Sequence, residues 1–416
     1  MNMFMEKKKS YIIGGGVSGL VAAQVLENHG FEPTIIESTD RVGGRVKTDR
    51  LNGYQLDHGF QVLLTSYPMA QKYLDLEALD LQRFLPGATI FRKGKERVIG
   101  DPLREFSLLL PTMFSGIGSF SDKIKILKLT NLLKKKSVQE IFDEKETSTR
   151  EYLKNFGFSE SIISDFFAPF FSGIFLETSL ATSSRMFEFV YKMFGEGDAA
   201  IPKAGMEAIP AQLKQNLKQT TYKFNARVKE VKNGEIILEN GEIILSNSTI
   251  VATDPSGLIS NLSSQSIPWK SCVTLYFEAD TKRIKQPLIG LVSEKEALIN
   301  NMFYHTSVKT ESKGDKELLS VTVINPKGKS GEELIKQVEN ELESYCGISQ
   351  VHYLAHYDIP LALPNLTNIH YEMMPSETQL TSSVFLAGDT QLNGSLNAAM
   401  MAGERAAMAV VEALAE

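Results

Sequence analysis

Two short clusters in this chain have the residue types and spacing to hold a phosphate-bearing ligand. The first is Gly14-Gly15-Gly16-Val17-Ser18-Gly19. In a loop of this kind the glycines do different things. Gly14 allows the turn, Gly16 lets backbone amides approach a pyrophosphate, and Gly19 lets the following helix lie against a sheet. Val17 and Ser18 open that helix, whose unpaired N–H groups and partial positive charge favour an anion. Glu37 closes the next apolar run, placed to accept hydrogen bonds from ribose hydroxyls and to repel a 2′-phosphate, with Ser38 beside it. The second cluster is Asp40-Arg41-Val42-Gly43-Gly44-Arg45, where Gly43 and Gly44 form another close-approach loop and Arg41 and Arg45 bring guanidinium groups towards phosphate oxygens. Near the carboxyl terminus, Gly388-Asp389 ends an apolar run.

These residues need elements to position them. Tyr11-Ile12-Ile13 reads as a strand, Leu20 to His29 as a helix stopped by Gly30, and Thr34-Ile35-Ile36-Glu37 after Pro33 as a second strand. Together they make a βαβ unit of about 30 residues, the context that raises a glycine triplet above an ordinary turn. NAD and FAD share that fingerprint. The Arg41–Arg45 loop decides for FAD, because a nicotinamide fold does not need it. Ser383 to Asp389 reads as a buried strand, and the Ala- and Met-rich stretch Asn397 to Leu414 as a helix.

The glycine loop joined to Arg41-x-Gly-Gly-Arg45 resembles the superfamily of flavin amine oxidases, protoporphyrinogen oxidases and phytoene-type desaturases. The resemblance implies an α/β fold: a Rossmann-type, glutathione-reductase-like FAD-binding domain, discontinuous over residues 1–66, 200–262 and 371–416, and an α+β substrate domain over 67–199 and 263–370. It implies that Gly388, Asp389, Asn397 and Ala398 close the flavin site, the helix amino terminus facing the charge that reduced flavin gathers. It makes Val228 the adenine-side contact, and Ile201 to Lys218 the loop and helix by which the chain returns to its cofactor domain. It also brings the Leu56–Gln61 stretch near the flavin face, with His58 and Gln61 as polar pocket residues, and sets Lys270 against the lysine that holds a water near flavin N5 in the amine-oxidising branch. That assignment hangs on register, since one residue of slip sends a strand side chain to the other face. The loop Thr390–Leu396 carries neither an aromatic residue nor a cysteine. On this resemblance an aromatic cage is absent there and FAD is noncovalent.

Length and composition agree. The 416 residues exceed what one core usually holds, and 43% hydrophobic with 23% charged residues is ordinary for a folded chain. A net charge of −6 gives no global attraction for a nucleic acid. Two cysteines, Cys272 and Cys346, build no disulfide framework and suit a cytoplasmic setting. The amino terminus, with Lys7, Lys8 and Lys9, runs into the glycine loop with no signal-peptide core, and Asp165 and Glu177 interrupt the most apolar stretch. His352 and His356 sit on a strand-like run, where the spacing is no chelate, so no metal site is expected. The Phe166–Phe171 and Phe187–Tyr191 stretches read mainly as core, a few of them lining an apolar channel. Lys270 to Glu278 and Leu318 to Ile324 read as strands of an antiparallel sheet. Ser121 to Lys136 reads as a surface helix with a solvated basic face or as one lying on an anionic bilayer, a peripheral membrane contact. The function expected is hydride transfer from a small apolar substrate, an amine or an isoprenoid- or polyene-like molecule, to flavin N5. The rivals are a redox-neutral isomerase or dehydroxylase of a lipid-like substrate, and a lipid-binding protein with structural FAD.

Overall fold

The computed structural model describes residues 9–101, 104–311 and 314–415. The expectation about the first residues, Met1 to Lys8, lies outside them. A five-stranded, all-parallel sheet gathers distant stretches: β1 (Ser10–Ile13), β2 (Thr34–Ile36), β3 (Thr221–Lys223), β4 (Ser248–Val251) and β5 (Val384–Leu386), in the order β3-β2-β1-β4-β5. Ile12 lies opposite Ile35 on one side and Ile250 on the other, and Ile250 opposite Phe385. All four side chains are buried, as the continuous apolar runs of a sheet covered on both faces require.

Helix α1 (Val17–Asn28) follows β1 and packs along the carboxyl-terminal helix α2 (Leu396–Ala415). Two glycines set these approaches. A Cβ on Gly19 would run into the Gly14 carbonyl oxygen, and one on Gly403 into the Ser18 carbonyl oxygen, so strand, loop and both helices close to contact only with hydrogen at these positions.

A seven-stranded sheet forms the other half. Its order is Val351–Pro364, Trp269–Ala279, Glu317–Val323, Ile299–Tyr304, Ile289–Val292, Gly87–Arg92 and Lys95–Gly100. The expected neighbours Trp269–Ala279 and Glu317–Val323 do pair antiparallel. The sheet is nonetheless mixed, because Ile289–Val292 pairs parallel with Gly87–Arg92, a strand from within residues 67–199. After β3 the chain leaves the parallel sheet at Lys223, takes a left-handed turn at Asn225 (φ 53°) and restarts as a strand at Val228.

Helices Leu109–Phe114, Ala168–Phe175 and Gly331–Cys346 pack on this sheet, and further helices pack on Ser184–Glu196 with their starts written in the sequence. Ser119, Ser137 and Ser148 each cap a helix in a reciprocal box with Asp122, Glu140 and Glu151. Ile163–Phe167 is wound as a π-helical turn leading into Ala168–Phe175. Phe167, Phe171, Phe175 and Phe187 are buried in the core, while Phe166 and Phe170 stay partly open to a cavity.

Candidate active site

A continuous cavity of about 2310 Å³ runs from the glycine loop, past the carboxyl-terminal loop, to the Phe-rich helices. Ligand pockets for drug-sized molecules occupy roughly 300–1,000 Å³, so this space suits a dinucleotide together with a substrate.

At one end the wall is backbone. Gly14, Gly16, Val17 and Ser18 line it, and Gly43 and Gly44 face them across a bridge between Gly16 and Gly43. The first turn of α1 has no side-chain cap and no acidic residue, which leaves its amides for an anion. Ser18 Oγ is buried without a hydrogen-bond partner among the described residues, against Gly403 where α1 meets the carboxyl-terminal helix. Glu37 lines the cavity with Ser38. Its carboxylate also ties the loop together: Oε2 accepts from Gly15 N (2.8 Å), and Oε1 from Thr39 N (2.9 Å) and Thr39 Oγ1 (2.8 Å). Val228 and Lys47 complete this end.

Arg45 and Asp389, far apart in sequence, form an ion pair at the centre of the cavity, with Arg45 lying over the Trp269 ring at 5.2 Å. Arg41 departs from the expectation. It does not line the cavity, because Asp49 (2.8 Å) and Glu207 (3.1 Å) hold its guanidinium elsewhere. Asn397 and Ala398 also stand back, fully buried: Asn397 Oδ1 accepts from Met69 N (3.0 Å), and Ala398 N donates to Ser395 Oγ (3.0 Å). The helix starts at Leu396, and Ser395, Leu396 and Ala399 face the cavity in their place, beside Gly388.

His58 and Gln61 line the cavity. His58 Nε2 shares a hydrogen bond with Asp49 Oδ2 (2.8 Å), and its ring stacks on Tyr357 at 4.3 Å. Tyr357 donates to the same Asp49 oxygen (3.1 Å). Burial pushes Asp49 up, but hydrogen bonds from His58 and Arg41 outweigh it and hold the carboxyl below its usual range. Gln61 Nε2 donates to Arg45 O (3.1 Å), bracing the arginine loop. Asp57, next to His58, is buried and pushed up to about 6 by burial, against hydrogen bonds from Thr48 and Met206.

Lys270 lines the cavity together with its neighbour Trp269. The register shifts between Lys270 and Cys272 against Val351–Pro364, and such a bulge re-aims side chains that strict alternation would separate. Lys270 Nζ donates to Phe175 O (2.9 Å) and Thr182 Oγ1 (3.3 Å), and burial pulls the ammonium down, with Glu177 opposing. Glu177 is raised by burial and lowered more strongly by hydrogen bonds from Ser179 and Thr182, leaving it below the usual carboxylate range.

The aromatic residues absent from Thr390–Leu396 come from other elements: Trp269, Tyr357, Phe60, Phe166 and Phe170. Trp269 Nε1, Asn301 Oδ1 and Thr322 Oγ1 are buried there without partners among the described residues. Sequence reasoning passed over Trp269, Glu177, Asn301 and Tyr357. Only Trp269, the one tryptophan and next to Lys270, offered a signal.

Residues 17–411 match the family described as flavin containing amine oxidoreductase. The chain belongs to that family. It is 26% identical over 248 residues to an L-amino-acid oxidase of Sistrurus catenatus edwardsii, an alignment covering 55% of this chain and 46% of that protein. It thus spans about half the length of the curated relatives it matches. The fold matches a putative protoporphyrinogen oxidase from Exiguobacterium sp. 255-15 (TM-score 0.71, 17% identity, 99% of this chain and 100% of that one). It also matches cyclohexylamine oxidase from Brevibacterium oxydans IH-35A (TM-score 0.66, 14% identity, 99% and 100%). The protein is a flavoprotein, and FAD, expected from the glycine and arginine loops, is its cofactor.

Proposed function

We propose that this flavoprotein is an oxidoreductase that takes a hydride from a carbon of a small, largely apolar substrate, with amines the first class to test. When bound, FAD supplies the two-electron acceptor for that hydride. The observation that carries the reading is the continuity of one cavity from the uncapped start of α1 to the Phe-lined wall, large enough for cofactor and substrate together.

The chain's own residues divide the work. The amides of Val17 and Ser18 take pyrophosphate oxygens, across from Gly43 and Gly44. Glu37 takes the ribose hydroxyls, since its Oε2 accepts one protein bond and keeps a lone pair. Val228 stays the adenine-side contact, and Gly388, Asp389 and the start of α2 close the opposite side. With no cysteine in Thr390–Leu396, the attachment is noncovalent. The parallel sheet of β1–β5 supports reading 1–66, 200–262 and 371–416 as a Rossmann-type cofactor domain and 67–199 and 263–370 as the substrate domain.

Phe166, Phe170 and Phe171 exclude water and hold the apolar body of the substrate. Lys270 uses two of its three N–H donors on Phe175 and Thr182, and the third holds a water or substrate proton acceptor inside the cavity. His58, fixed by Asp49 and Tyr357, presents a preset ring to the same space. The relatives named above favour neither the redox-neutral nor the binding-only reading.

The test is anaerobic addition of apolar amines, and then of polyenes, to the yellow protein. Bleaching of the visible flavin band by any member supports the proposal. Product without net bleaching assigns a redox-neutral reaction instead, and neither bleaching nor product across both classes removes the catalytic reading.

A further inference from the structure

The cavity reaches the surface beside two short helical stretches whose apolar residues face the wrong way for a protein surrounded only by water. On the first, Phe106–Phe114, the side chains of Phe106, Leu110 and Met113 recur at i, i+4 and i+7 and are exposed by 78%, 63% and 53%. On the second, the helix Phe120–Lys135, the side chains of Phe120, Ile124 and Leu127 repeat the same spacing and are exposed by 75%, 53% and 42%. An ordinary surface helix turns such a stripe inward. Elsewhere among the described residues, exposed large apolar side chains occur singly or in pairs. Solitary ones need no explanation, whereas a contiguous group does.

Three observations fix the occupant. Met113, Phe120 and Leu127, one or two from each stripe, line the cavity, so the stripes border its mouth. The inward face of the second helix is already satisfied by Leu129 and Leu133, which leaves the outer stripe unpartnered among the described residues. The same helix carries Lys123, Lys128, Lys134 and Lys135, while Asp122, its acidic residue in the first turn, is buried in the cap with Ser119 and Ser159. Lys123 also donates to Met113 O (2.9 Å), fastening the two stretches side by side. The helix is too short and too basic to cross a bilayer, and no helix among the described residues is long and apolar enough to do so. An apolar stripe rimmed by lysines is the chemistry of a helix lying in the interface of an anionic membrane.

We propose that Phe106–Phe114 and Phe120–Lys135 form a surface that docks this protein on an anionic lipid bilayer, with the cavity mouth against the membrane. Apolar molecules then enter from the lipid phase rather than through water. The docking itself does not depend on the redox reading, since a vesicle is bound or not whether or not flavin turns over.

The experiment is co-sedimentation of the flavin-loaded protein with vesicles of phosphatidylcholine, alone and mixed with phosphatidylglycerol. The expected result is binding to the mixed vesicles, weaker binding to phosphatidylcholine alone, and weakening by salt. Phe106→Ser with Ile124→Ser, one exposed position from each stripe and neither lining the cavity, lowers binding by about tenfold or more while the flavin spectrum and Tm stay unchanged. Lys134→Glu with Lys135→Glu removes the preference for the anionic vesicles. The proposal is overturned if the protein stays in the supernatant with anionic vesicles, or if the serine variant binds like the parent. It is also overturned if sedimentation velocity shows a dimer that the same serine substitutions disperse, which would assign the surface to a second copy of the chain.

Discussion

At the glycine-loop end of the cavity the wall is main chain, with Gly14, Gly16, Gly43 and Gly44 bringing peptide groups to the surface. At the Phe166–Phe171 end it is side chain, carried on helices and on Trp269, Lys270 and Tyr357. The first wall resists change of residue type at Gly14, Gly43 and Gly44, where positive φ and close backbone neighbours leave no room for a Cβ. The second admits exchange of one apolar group for another of similar volume at modest cost. Under the proposed function, cofactor binding depends mainly on backbone geometry and substrate choice on side-chain chemistry, and the two should fail separately when perturbed.

The largest expected effect lies behind the first wall, where α1 packs on β1. Gly19→Val forces a branched side chain into the Gly14 carbonyl and separates α1 from β1, so the protein loses its flavin altogether, read as the ratio of visible to ultraviolet absorbance. Retention of full flavin absorbance would break the distinction at its strongest point. Next is the second wall: Lys270→Met lowers the rate of anaerobic flavin reduction about 100-fold with flavin occupancy unchanged, since a positioned proton-handling group contributes roughly 10²–10⁴. If occupancy fell in step with rate, the two ends would not be separable.

Glu37→Ala sharpens the comparison from the cofactor side. It leaves the Gly15 and Thr39 amides without their carboxylate and removes the ribose partner, a loss of about 2 kcal/mol, so FAD binds about 30-fold more weakly in a fluorescence titration. An unchanged dissociation constant would show that the carboxylate only holds the loop.

The smallest effect concerns Asp57, between the two regions. Its carboxyl titrates near 6 in the folded chain, above the ordinary 3.8, so the folded state holds the proton more tightly than the unfolded one. That contribution to stability is fully present below about pH 4 and disappears as pH rises through 6. Asp57→Asn should flatten this part of the profile, a difference from the parent of a few degrees in Tm between pH 4.5 and 6.5. Parallel profiles for the two proteins would place the proton elsewhere.

The same contrast explains what could be read from the chain alone. The βαβ unit was legible because Gly14, Gly16, Gly19 and Glu37 carry their meaning in local spacing, and β5 and α2 because their apolar patterns are continuous. The ion pair of Arg45 with Asp389 was not, since nothing local to either residue names a partner 344 positions away. Arg41 shows the converse. Its place beside the glycines pointed to phosphate, but Asp49 and Glu207 converge on it only once the chain is folded. The bulge after Lys270 was equally invisible, because strand periodicity assumes an unbroken ladder.

The central claim is that one noncovalent FAD fills the cavity between the Gly16 loop and Asp389. Acid precipitation of the purified yellow protein tests it most directly: one FAD per chain should appear in the supernatant, leaving a colourless pellet. A protein that is colourless from the start and takes up no added FAD, or a flavin that stays with the pellet, would contradict it.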